Sequence, residues 1–90
     1  MNKFLLTFKD KSLDDLKEFA KKAEDTNGGV IISSGKNYFD GSSFMSLIAI
    51  KNCDNVFVFY HEDEKDFEKF LDEKYFKPYC SKIGNYMENI

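Results

Sequence analysis

The chain has 90 residues, enough for one domain and too few for a second core. A hydrophobic share of 42% and an aromatic share of 17% supply a packed interior, and one Pro with five Gly excludes a low-complexity chain. Net charge is −3 and all 13 basic residues are Lys, dispersed rather than clustered, so the bidentate Arg grip on phosphates and guanine edges is missing and nucleic acid is not an expected partner.

Lys3 to Lys9 is short, apolar and aromatic and reads as a strand. Its apolar run ends after five residues, short of a secretory signal, and no segment is long enough to span a membrane, so a cytoplasmic location is expected. Ser12 opens a helix. Asp15 three residues on completes a variant of the capping box, and Asp14 and Asp15 favour the positive end of the helix dipole. Leu13, Leu16, Phe19, Ala20 and Ala23 recur at helical spacing as the inward stripe, until Asn27-Gly28-Gly29 ends the helix. Val30–Ser34 and Lys36–Asp40 flank Gly35 as a hairpin. Ser42 and Ser43 stand before six apolar residues broken only by Ser46, the signature of a short capped helix from Ser43 to about Ile50.

After a turn at 52–55, Val56–Tyr60 is the most apolar strand and is expected at the centre of the sheet. Glu62-Asp63-Glu64 reads as the acidic first turn of a second long helix, with Phe67, Phe70, Leu71 and Tyr75 inward and Pro78 as its stop. Residues 77–90 form a polar-aromatic C-terminal extension, whose Tyr79, Ile83, Tyr86 and Met87 are candidates to cover the short helix or the sheet. Cys53 and Cys80 lie 27 positions apart, without metal or redox spacing; two reduced thiols is the ordinary reading, and a disulfide stays open. The element order implies one α+β domain over 1–90: an open-faced sandwich whose four-stranded, mainly antiparallel sheet carries three helices on one face.

Chemistry-bearing residues are few. His61 is the only histidine, without a Cys neighbour or a convergent partner, and its ordinary role is a solvent-facing residue at the strand-to-helix turn. Asp14 as an acyl-phosphate acceptor competes with its simpler role of stabilising the helix dipole. Ser43 is an N-cap and also a candidate phosphorylation site, where a phosphate would gain from a helix N-terminus. Phe44, Met45 and Ile48 form an apolar helix face that either docks a partner or is covered by the chain's own tail. No metal site and no cofactor is expected.

The element order and residues Lys36 to Tyr60 resemble the histidine-containing phosphocarrier (HPr) family of the bacterial sugar phosphotransferase system, over about residues 3–76. Ser43-Phe44-Met45-Ser46-Leu47-Ile48 is similar to that family's regulatory-serine segment, although Ser46 replaces a Gly and Gly41-Ser42 replaces the usual Ala-Lys. The resemblance implies an HPr-like fold, a kinase target at Ser43 and a partner-binding surface at Phe44, Met45 and Ile48. The family's phosphate acceptor is the His of a Gly-Leu-His-Ala-Arg-Pro run. The matching positions here read Ser12-Leu13-Asp14-Asp15-Leu16-Lys17, with Asp14 in place of the His and Leu16 in place of the Arg. A His phosphocarrier needs an imidazole nucleophile and donors for the incoming oxygens, and two carboxylates repel a phosphate. The chain therefore resembles the regulatory branch of the family that keeps the serine and lacks the histidine. The expectation is a non-enzymatic regulatory or protein-interaction domain whose partner is a phosphotransferase-system or regulatory protein. The alternatives are an active phosphocarrier and a diverged domain with an unrelated binding role.

Overall fold

The structure, a computed structural model, describes residues 1–75 in full and the backbone of residues 81–85. The elements run β1 (Asn2–Leu6), α1 (Leu13–Glu24), β2 (Val30–Ser34), β3 (Asn37–Asp40), α2 (Phe44–Ala49), β4 (Val56–Tyr60), α3 (Lys65–Tyr75) and β5 (Ser81–Asn85). The sheet has the order β3-β2-β4-β1-β5 and every pairing in it is antiparallel. The expected four-stranded antiparallel sheet with three helices is present as β1-β4-β2-β3, and the C-terminal extension adds a fifth strand along β1. The expectation that Tyr79, Ile83, Tyr86 and Met87 cover a helix or the sheet concerns side chains outside the described residues, as does Cys80.

Each helix connects two strands that are parallel to each other and separated by one antiparallel strand. The α1 connection straddles β4, the α2 connection straddles β2, and the α3 connection straddles β1. Strand alternation then sorts the side chains. Phe4, Leu6, Val30, Ile32, Val56, Val58 and Tyr60 point to the helices and are buried, whereas Lys3, Leu5, Ile31, Phe57 and Phe59 occupy the opposite face. β4 lies between β1 and β2, as its apolar run predicts.

Leu16, Phe19, Ala20 and Ala23 of α1 and Phe67, Phe70, Leu71 and Tyr75 of α3 are buried against that face. Their rings meet edge-on: Phe8 and Phe19 are 5.2 Å apart at 86°, and Phe19 and Tyr75 are 5.9 Å apart at 84°. Edge-to-face pairing places the positive rim of one ring on the negative face of the next, which adds about 0.5–1.5 kcal/mol per pair to area burial. Two expectations change. Leu13 is 52% exposed, because the first turn of α1 projects beyond the core. Glu62-Asp63-Glu64 precedes α3 instead of forming its first turn: the Glu64 carboxylate accepts hydrogen bonds from the backbone N–H groups of Asn27 (2.8 Å) and Gly28 (2.9 Å), tying the α1–β2 loop to the start of α3.

Candidate functional site

Ser43 is the N-cap of α2, with its Oγ accepting a hydrogen bond from the Ser46 N–H at 3.3 Å and lying 3.1 Å from the Ser46 hydroxyl. Asp40 shapes the approach to the helix, because its carboxylate accepts from both the backbone N–H (2.9 Å) and the hydroxyl (2.7 Å) of Ser42, which hold it below the usual carboxylate range. Between them Gly41 passes against β2, its N–H donating to the Val30 carbonyl at 2.8 Å.

With its cap set this way, α2 turns Leu47 fully into the core and leaves Phe44 half-buried. Met45 is 73% exposed and Ile48 is 38% exposed. The Lys17 ammonium lies 5.7 Å from the centre of the Phe44 ring, within cation–π range. Leu13 lies four residues before Lys17 and so shares its side of α1. The apolar surface at Phe44, Met45 and Ile48 thus reaches the first turns of α1. Lys17 borders it at the Phe44 ring, and Leu13, assigned to the core by helical periodicity, is exposed on the same side of α1.

The start of α1 is closed by its own side chains. Ser12 Oγ accepts from the Asp15 N–H at 3.1 Å, and the Asp15 carboxylate accepts from the Ser12 N–H at 3.0 Å. That backbone hydrogen bond is the main reason the Asp15 carboxyl sits below its ordinary range. Asp14 is exposed on the same turn. His61 is not brought to it. The pairing of Asn2 with Tyr60 sets His61 at the start of β1, whereas α1 begins beyond the other end of that strand. There His61 is half-exposed. Its Nδ1 accepts from the Asp63 N–H at 3.2 Å, and its Nε2 lies 3.8 Å from the Glu62 carboxylate.

Among the described residues no three His, Cys, Asp or Glu side chains converge as a metal site. A groove of about 390 Å³ between the end of α1 and the start of α3 is lined by Lys22, Thr26, Asn27, Glu64 and Phe67, and Glu64 is already engaged by Asn27 and Gly28. Among the described residues no helix is long and apolar enough to cross a membrane. No protein-family model, curated protein or solved structure matches the chain.

Proposed function

We propose that this chain is a non-catalytic protein-interaction domain of HPr-like layout, acting in the cytoplasm as a regulatory partner within or beside the sugar phosphotransferase system. The observation that carries the reading is the exposed Met45 and Ile48 pair on a helix whose other side is anchored by Leu47. Large, adaptable apolar side chains beside a half-buried ring and an exposed cation suit a protein contact, with Phe44 as the less exposed member and Lys17 over its ring. Carrier chemistry is not part of the proposal, since Asp14 offers a carboxylate where an imidazole nucleophile is required and the adjacent backbone N–H of Ser12 is bound to Asp15. Ser43 is the proposed regulatory position; a phosphate there would displace the Ser46 contacts and place charge at the edge of the Met45 surface.

Two measurements test this. Incubation with phosphoenolpyruvate, the first enzyme of the phosphotransferase system and labelled phosphate should leave the chain unlabelled, and acid-labile label would establish the phosphocarrier reading instead. Binding to purified phosphotransferase-system and regulatory proteins should be lost in Met45→Asp, with the melting temperature unchanged, and weakened in Ile48→Ala. Binding that ignores both substitutions would remove the surface from the proposal.

A further inference from the structure

The two edges of the sheet differ. β5 pairs with β1 through a register shift at Lys3/Phe4, the kind of irregularity that turns an edge away from further pairing. β3 is the opposite edge. It follows β2 in unbroken register from Ser34↔Asn37 to Ile31↔Asp40 and contains neither Gly nor Pro. Its outer side is open, with Lys36, Asn37, Tyr38 and Asp40 all exposed and Tyr38 at 68%.

Hydrogen-bond parity fixes which backbone groups face outward. In an antiparallel pair the residues alternate between bonding to the partner and pointing away from it. Gly41 N–H bonds to Val30, so Phe39 and Asn37 also face β2, and the groups of Tyr38 and Asp40 point outward. The Asp40 carbonyl is taken by the Ser43 N–H at 3.1 Å. What remains for a new strand is the N–H and carbonyl of Tyr38 and the N–H of Asp40.

We infer that β3 is a self-association edge, where a second copy of this chain pairs antiparallel about a two-fold axis at Tyr38. Parity allows only registers that set outward residues opposite outward residues, and the charges choose among them. With Tyr38 opposite Tyr38 of the second copy, the two residues exchange their N–H and carbonyl groups. Lys36 then reaches the level of the other copy's Asp40 on both sides of the axis. Lys36 and Asp40 form no ion pair within the chain among the described residues, so two complementary pairs become available. Tyr38 and Asp40 lie on the sheet face away from the helices, which places the two phenol rings side by side. The interface is isologous and joins two five-stranded sheets into one continuous sheet. Its outward residues Tyr38 and Asp40 lie on β3, whereas Met45 lies on α2, and the inference does not depend on the function proposed for Met45.

Sedimentation velocity on the full chain, from the micromolar to the millimolar range, tests the inference. Association should rise with concentration and weaken with salt, and the Tyr38 and Asp40 amides should become slower to exchange as the dimer forms. Lys36→Glu, on an exposed turn, sets like charges opposite each other and should weaken association about tenfold or more. Tyr38→Pro removes an outward N–H without taking a bond from the β2–β3 ladder and should abolish association. Met45→Asp should leave it intact. A chain that stays monomeric to millimolar concentration, or one whose association survives Lys36→Glu, overturns the inference and, in the second case, points to another face of the molecule.

Discussion

Single residues carry tight constraints in this domain, and Gly41 is the sharpest. A Cβ at that position would lie 2.7 Å from Val30 Cγ1 and 3.1 Å from the Val30 carbonyl oxygen, closer than such atoms approach without movement. Val30 is itself buried in the core, so it cannot swing aside, and Gly41→Ala should cost about 1–3 kcal/mol in chemical denaturation through overpacking. A second constraint is the polar group beneath α3. Buried Tyr60 donates its hydroxyl to the Glu68 carboxylate at 3.0 Å, and buried Asn2 donates its amide to the same oxygen at 3.1 Å. Burial, reinforced by the Glu68 carboxylate, pushes the Tyr60 phenol far above its usual range and keeps it a donor. Tyr60→Phe removes one bond and leaves Glu68 still engaged by Asn2, a loss of about 1 kcal/mol. Glu68→Leu leaves two donors without their acceptor and should cost about 2–3 kcal/mol. Equal losses from the two variants would show that the network does not act as drawn.

At the level of elements, local signals were readable and tertiary ones were not. The Ser12–Asp15 box needs only four consecutive residues, and it forms as the spacing implies. The same locality gives its pH dependence. The folded carboxyl of Asp15 is held below its ordinary value, so the stabilisation is complete above the normal carboxylate range and is lost as pH falls through the depressed value. Melting temperatures followed from neutral to strongly acid pH should therefore show a shallower acid decline in Asp15→Asn than in the wild type. Parallel curves would mean that the box contributes nothing through this charge. The start of α3 was not readable, because Glu64 is drawn away from helix capping by Asn27 and Gly28, partners 37 and 36 positions earlier in the chain. Leu13 was assigned inward because periodicity cannot see where a helix outruns its sheet. β5 was missed because Ser-Lys-Ile-Gly-Asn lacks an alternating apolar pattern, and its pairing with β1 is a long-range event. For the candidate site, the cap at Ser43 follows from the run itself, whereas the exposure of Met45, which the sequence leaves open between docking and cover by the tail, and the neighbouring Lys17 require the packing of α1 and α2.

The whole molecule is three interlocked strand–helix–strand units, and the interlocking sets the order in which it opens. β1, β2 and β4 each pair on both sides, whereas β3 and β5 each pair on one. β4 also contributes Val56, Val58 and Tyr60 to the core, all fully buried, while β3 offers only the partly buried Phe39. Losing β3 breaks one ladder and exposes little apolar surface; losing β4 separates β1 from β2 and dismantles the core. Local opening free energies should rank accordingly, from small values at β3 to the global stability at β4. Hydrogen exchange at low concentration, where no second copy competes for the edge, makes the ranking measurable. The outward amides of Tyr38 and Asp40 should exchange first, the inward amides of Asn37 and Phe39 next, and the amides of β4 only with global unfolding. If the β3 amides that face β2 exchanged together with those of β4, the sheet would open as one unit, and the edge on which self-association is drawn would be as rigid as the centre.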